Sequence, residues 1–188
     1  PFTWWRQIGE RGEPFVDPAG RPLTRAFGCE PTAPFIPTDQ EISFALSALV
    51  YDAFPYNASS NLFTMRNLME GWAVPEWHVP QNPPRGMHNQ YHFWVGGTMV
   101  NASYSANAPE FYFHHVYVDM LIEMWLRSEN GQKAAFPAEG AALGHNLHDC
   151  LGHIWPLSNN EFWFRSSEQL GYTYDLLLPP APNPPPPS

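Results

Sequence analysis

Three histidines occur at a spacing that suits a metal ion. His88 and His92 are four residues apart, and His115 follows later in the chain with Asp119 four residues beyond it. Side chains four residues apart lie on the same face of a helix, one turn above the other. Neutral imidazole is the commonest protein ligand for copper and zinc, and histidines on two facing helices can hold one ion. The spacing therefore predicts a metal site, although each histidine could instead be a core residue satisfied by ordinary hydrogen bonds.

Helix-ending and helix-starting residues mark the two segments that would carry these histidines. A helix over 87–95 is stopped by the pair Gly96-Gly97. A second helix over 109–128 begins at Pro109, which suits the first turn of a helix. Residues at helical spacing give this second helix one continuous inward-facing stripe, formed by Phe111, His114, His115, Val118, Ile122 and Trp125.

A third helix is predicted over 38–54. Thr38 and Glu41 have the form of a capping box, and apolar residues follow at helical spacing. Between the helices the chain is rich in proline and glycine, which favours irregular wrapping segments. A short strand is predicted over 162–165.

Length and charge restrict the class of protein. The chain has 188 residues, 44% of them hydrophobic, enough for one domain with a sizeable core. Its formal net charge is −9 with only nine lysines and arginines, which argues against nucleic-acid binding. No apolar run is long enough to span a bilayer. Proline accounts for 22 residues, and we expect a domain over 1–176 followed by an extended proline-rich tail over 177–188.

Cysteines and possible glycan acceptors indicate the compartment. Cys29 and Cys150 fit neither a zinc ribbon nor a redox CxxC motif, so a single disulfide and two free buried thiols are both open. Asn57 and Asn101 each begin an Asn-x-Ser tripeptide, the acceptor for N-glycosylation in secreted proteins. With the proline-rich tail they favour an extracellular, secreted or lumenal location. A second histidine cluster at 145–153 lacks helical register and is not expected to bind metal.

The motifs around the three histidines resemble the second-copper half of the tyrosinase family. They are His88-Asn89-x-x-His92, Gly97-Thr98-Met99, Ser105-Ala106-Asn107-x-Pro109-x-Phe111 and His114-His115-x-x-x-Asp119, supported by Arg66-Asn67-x-x-Glu70-Gly71 and Leu170-Gly171-Tyr172-x-Tyr174. The family includes catechol oxidases and haemocyanins, all binuclear type-3 copper proteins, and the spacing is most similar to the animal tyrosinase branch. The resemblance implies a mainly α fold, with antiparallel helices of the type-3 copper bundle, long irregular proline-rich wrapping segments and little β structure.

The resemblance also assigns roles by position. His88, His92 and His115 would ligate the second copper, CuB, whereas His114 would not be a ligand. Glu70 and Asn89 match the pair that holds and polarises a water molecule near the coppers, with Glu70 as proton acceptor for a phenol. Asp119 would orient a ligand imidazole. The substrate pocket would be lined by Phe93, Met99 and Ser105.

The activity implied is the O2-dependent oxidation of phenols and catechols to ortho-quinones at a pair of copper ions. The three histidines of the first copper, CuA, are absent from this sequence, so we expect them from an N-terminal half or a partner chain. One further departure is Ala108, where the family usually has a helix-capping Asp; Asn107 is a candidate substitute cap. The alternative interpretation is a non-catalytic tyrosinase-like module in an extracellular assembly, joined through the proline-rich tail. A single zinc or copper site of unrelated function is a third.

Overall fold

The described part of the chain is mainly helical. The computed structural model describes residues 16, 20, 22–29, 31, 33, 35–57, 63–70, 87–133, 137, 139–141, 146–151, 155–159 and 171–175. Its α-helices are α1 (Asp39–Leu46), α2 (Met65–Glu70), α3 (Met87–Val95), α4 (Pro109–Arg127) and α5 (Glu129–Lys133), with short 3-10 turns at Gly97–Val100 and Ser105–Asn107. Two short antiparallel strands, β1 (Cys150–Leu151) and β2 (Trp155–Asn159), are the sheet structure of the described residues. The prediction of a mainly α fold with little β structure is confirmed.

The first helix begins as predicted but ends early. The Thr38 hydroxyl accepts a hydrogen bond from the Glu41 amide, and the Glu41 carboxylate accepts one from the Thr38 amide, which completes the capping box. The prediction of a helix to residue 54 is wrong, because α1 stops at Leu46. Beyond it the carbonyls of Val50 and Tyr51 accept hydrogen bonds from the first amides of α2, a use of the backbone that a continuing helix would not allow.

Helix α4 packs against the other helices to form the core. Trp125 is fully buried, and its indole N–H donates to the Ala48 carbonyl at 2.8 Å. The buried residues of this core are Ala45, Leu46, Ala48, Met65, Leu68, Met69, Met87, Leu121, Met124 and Trp125. Buried Glu123 is paired with Arg127 one turn later at 2.5 Å. The tight packing of α4 fixes its register, and hence the direction in which its histidines point.

A segment over 24–28 closes the carboxyl end of α3. The amides of Ala26 and Gly28 donate to the carbonyls of Val95 and Trp94, at 2.9 and 2.8 Å. These carbonyls are in the last turn of α3, where helical partners run out, so the segment satisfies them. Thr24 continues the pairing, because its carbonyl accepts from the Thr98 amide at 3.0 Å and its amide donates to the Thr98 hydroxyl at 2.9 Å.

Three other predictions concern the cysteines, the segments near the C-terminus and membrane-spanning helices. Cys29 and Cys150 are both free and both exposed, so the expectation of buried thiols is wrong and no disulfide joins them here. The strand over 162–165 and the proline-rich tail over 177–188 lie outside the described residues. None of the described helices combines the length and the apolar character needed to cross a membrane.

Candidate metal centre

Helices α3 and α4 bring four imidazoles together. His88 and His92 come from α3, and His114 and His115 come from α4. The Nε2 atoms of His88 and His115 are 3.1 Å apart. The ring centroid of His92 lies 4.6 Å from that of His88 and 5.4 Å from that of His115. The three predicted ligands are therefore neighbours, and His114, which the family resemblance implied is not a ligand, lies beside them.

Proximity alone favours His114 over the predicted ligand His115. One ring nitrogen each from His88, His92 and His114 can be chosen within 4.8 Å of one another, a spacing that a metal ion could bridge. The hydrogen bonds at each ring decide which nitrogen carries a proton and which has a free lone pair.

Two of the rings are oriented by backbone carbonyls. The Nδ1 atom of His92 is 2.8 Å from the Met99 carbonyl, and that of His115 is 2.7 Å from the Phe111 carbonyl. A carbonyl oxygen only accepts, so Nδ1 carries the hydrogen in both rings and the lone pair is on Nε2, which in His115 is 3.1 Å from the His88 Nε2. The His92 Nε2 atom is buried and has no hydrogen-bond partner among the described residues. A buried nitrogen left in this state is costly, and a metal ion would satisfy it, so the donor set fits a metal.

The predicted pair Glu70 and Asn89 meets at His88. The His88 Nδ1 atom is 3.0 Å from the Asn89 side-chain oxygen and 3.5 Å from the nearer Glu70 carboxylate oxygen. The hydrogen bond from His88 is the main reason that the pKa of Glu70 lies below its usual range. Glu70 is thus a carboxylate at neutral pH, and its side chain is 42% exposed, within reach of a molecule that approaches the histidines.

Burial keeps three of the imidazoles neutral. Desolvation, with smaller contributions from the neighbouring rings, lowers the pKa of His92 to about 4 and the pKa of His114 to about 3. The pKa of His115 is lowered as well, again mainly by burial. Neutral imidazole is the form that binds a metal ion, so His92, His114 and His115 are in their binding form at neutral pH.

The structure places the other predicted residues in different surroundings. Asp119 accepts hydrogen bonds from the hydroxyls of Tyr172, at 2.8 Å, and Tyr174, whereas the acceptor that orients the His115 ring is the Phe111 carbonyl. Burial and the hydrogen bond to Asp119 raise the pKa of Tyr172 to about 12. Within the described residues Asp119 therefore joins the segment over 171–175 to α4 and makes no hydrogen bond to an imidazole.

None of the three predicted pocket residues lines the cavity found beside the histidines. The side chain of Met99 is 1% exposed and packs in a small core with Val95 and Ala108, so it is the carbonyl of Met99 that reaches the site. Ser105 is buried at the start of a 3-10 turn, and Phe93 is half-buried on α3. A cavity of about 320 Å³ lies instead between α1, α3 and α4, with Ile42, His88, Tyr91, Phe113, His114 and Tyr117 among its lining residues.

Two surface predictions concern glycosylation. The side chains of Asn57 and Asn101 are both exposed. The Asn101 side-chain oxygen accepts a hydrogen bond from the Ser103 amide at 2.9 Å, within the Asn-x-Ser tripeptide. Both positions are thus accessible to a modifying enzyme.

Comparison with known proteins identifies the family. A family model described as the common central domain of tyrosinase matches residues 15–128, which include every described histidine of the cluster. The chain belongs to the tyrosinase family. This confirms the resemblance drawn from the motifs, on the animal side of the family.

The curated relatives are animal oxidases. The chain is 34% identical to a tyrosinase of Gallus gallus over 79% of its length, and 34% identical to a tyrosinase of Felis catus over 94%. It is 29% identical to a 5,6-dihydroxyindole-2-carboxylic acid oxidase of Ambystoma mexicanum over 95%. It covers only 28%, 35% and 35% of these relatives, about a third of their length. The family implies copper and an oxidoreductase class, and the imidazole cluster is consistent with a copper site.

Proposed function

We propose that this chain is the CuB-bearing part of a binuclear copper oxidase. His88, His92 and His115 would hold the CuB ion through their Nε2 atoms. The observation that carries the assignment is the state of these rings: the Nδ1 atoms of His92 and His115 are bound to carbonyls, and the buried Nε2 of His92 is unpartnered among the described residues. Orientation of a ligand imidazole through its other nitrogen is typical of protein metal sites.

The proposed reaction is the conversion of phenols and catechols to ortho-quinones with O2. The copper pair would supply the electron transfer to O2. Glu70 would act as the base, because its carboxylate is ionised, half-exposed and 3.5 Å from the ligand His88. It would accept the phenolic proton as the substrate approaches, while Asn89 holds the His88 ring at 3.0 Å. Phe93 and Ser105 remain our candidates for contact with the substrate ring, and Met99 would contribute through its carbonyl.

The CuA half would pack against an exposed face of α4. Tyr112, Phe113, Val116 and Tyr117 are between 42% and 67% exposed, a row of large apolar side chains on the helix that carries His115. Such a row is unusual for a surface in contact with water alone. An N-terminal half or a partner chain that covers it would bring its own three histidines to the open side of the cluster.

The proposed location is extracellular or lumenal, and the proposed domain covers 1–176 with a tail over 177–188. The exposure of Asn57 and Asn101 supports glycan attachment at these asparagines. Mass spectrometry of the protein before and after enzymatic glycan removal tests this, and an Asn101→Gln variant that keeps the same mass shift as the parent would exclude Asn101.

The test of the main proposal is copper loading of the protein that contains both halves. We expect two copper ions per complex and oxidation of a catechol, whereas a His92→Ala variant should keep one copper and lose turnover. His148→Ala is the matched control, since His148 lies outside the cluster and should change neither value. A complex that binds two coppers and is inert toward every phenol and catechol would favour the non-catalytic tyrosinase-like module. Unchanged copper content in His92→Ala would overturn the CuB assignment.

A further inference from the structure

We propose that His114 is a positioning residue that fixes α3 to α4 and thereby sets the separation of the copper ligands. The inference rests on the proposed CuB function. His114 lies within bridging distance of His88 and His92, so a role as an additional ligand is the competing interpretation.

The hydrogen bond of His114 to a carbonyl uses the other ring nitrogen from those of His92 and His115. Its Nε2 atom is 3.1 Å from the backbone carbonyl of His88. That carbonyl only accepts, so Nε2 carries the hydrogen, and the lone pair of this ring is on Nδ1. In His92 and His115 it is Nδ1 that is bound to a carbonyl, and Nε2 is left for coordination. The ring of His114 is thus used as a donor between helices.

The surroundings of the ring hold it in this orientation. His114 is only 6% exposed, and its ring stacks on Tyr91 with centroids 4.3 Å apart and 21° between the planes. The ring of His88 lies nearly parallel to it as well, at 5.3 Å and 16°. To turn Nε2 toward a metal, the ring would have to leave the Tyr91 stack and abandon a hydrogen bond in a buried place, which is costly.

The position of this contact gives it an effect on metal binding. The acceptor is the backbone carbonyl of His88, and the side chain of His88 is a proposed ligand in the first turn of α3. The donor is His114, which immediately precedes the proposed ligand His115 on α4. One hydrogen bond therefore joins the two helices beside the atoms that must meet at the metal. Contacts of this kind around a metal site change its affinity by about 10- to 100-fold when removed.

The test compares three variants of the protein that contains both copper halves. His114→Leu removes the donor, His114→Gln replaces it with an amide donor, and His115→Gln removes a proposed ligand. Copper affinity is measured by competition with a chromophoric Cu(I) chelator, and X-ray absorption counts the imidazoles per copper. We expect His114→Leu to weaken copper binding at least tenfold with an unchanged imidazole count, and His114→Gln to restore much of the affinity.

Each other result has a defined meaning. A fall in imidazole count in His114→Leu or His114→Gln makes His114 a ligand and overturns the proposal. A lower melting temperature with parental copper affinity reduces His114 to a packing residue and overturns it as well. If His114→Leu fails to fold, the imidazole count of His114→Gln decides. If His115→Gln changes neither copper affinity nor imidazole count, the CuB assignment itself fails. A failure of the His114 proposal alone is distinguishable, because it leaves the loss of copper binding in His115→Gln intact.

Discussion

The change Gly97→Ala should destabilise the protein far more than an ordinary glycine substitution. Gly97 has φ +55°, a left-handed conformation that costs an L residue about 1–2 kcal/mol. A Cβ added there would also collide with the backbone carbonyl of Thr24, the same oxygen that accepts from the Thr98 amide. Thr98 is 5% exposed, so a separated amide would lose its partner away from water, at a cost of about 1–3 kcal/mol. The two effects together predict a loss of about 2–5 kcal/mol.

Gly20→Ala is the matched control. Gly20 has φ +76°, also left-handed, but an added Cβ there meets no heavy atom within 4 Å. It should therefore show only the conformational cost of about 1–2 kcal/mol. In a protein of this size each kcal/mol lowers the melting temperature by about 2–4 °C, so we expect a drop of about 10 °C for Gly97→Ala and about 4 °C for Gly20→Ala.

Differential scanning calorimetry and urea titration of the two variants measure this difference. Because residues 97–100 carry the Met99 carbonyl to His92, Gly97→Ala should also weaken copper binding, and Gly20→Ala should not. Equal destabilisation by the two alanines would refute the argument, since it would mean that the segment over 24–28 does not press on Gly97. A large loss of stability with parental copper affinity would show that the His92 acceptor is held in some other way.

Three further changes test other parts of the structure. His92 has a pKa of about 4 in the folded chain and about 6.5 when unfolded, so the unfolded state binds more protons at pH values between these two. The urea midpoint of the copper-free protein should therefore fall as the pH drops from 6.5 to 4. A midpoint that does not change with pH would contradict this. Trp125→Phe leaves the buried Ala48 carbonyl without its donor and a small cavity behind, so urea unfolding should show a loss of about 2 kcal/mol with unchanged copper content; a loss of copper would contradict it. Ala108→Asp should stabilise α4 by about 1 kcal/mol, because the N-cap has no side-chain hydrogen bond, and a lower melting temperature would mean that this buried position has no room for a carboxylate.

The histidine helices could be predicted closely because their ends are set locally. α3 spans the predicted 87–95, stopped before Gly96, and α4 starts at Pro109 as predicted. The end of α1 could not be predicted in this way, since it depends on hydrogen bonds between 50–51 and α2. As a result Leu49 and Val50, two apolar residues within the predicted helix over 38–54, are 70% and 43% exposed. Asn107, suggested as a substitute cap for α4, instead donates to the Val16 carbonyl at 3.2 Å.

The site shows the same division between local and distant causes. Imidazoles at helical spacing are visible in the sequence, and their convergence follows from two facing helices. The carbonyls of Met99 and Phe111, which set the tautomers of His92 and His115, carry no side-chain signature. The family motif separates His114 from His115 as a ligand, but no sequence signal predicts that the His114 ring donates to the carbonyl of His88. The partners of Asp119 likewise come from residues more than 50 positions away.

Two of the proposed ligands lie on a helix that is too short to be stable by itself. α3 has nine residues, whereas isolated helices shorter than about 12–15 residues are marginal in water. Its C-terminal carbonyls are held by the segment over 24–28, and its first turn is held by His114 of α4. Neither contact involves a proposed ligand side chain, yet both decide where His88 and His92 stand. Substitutions in 24–28 should therefore appear as weaker metal binding, although that segment offers no metal ligand.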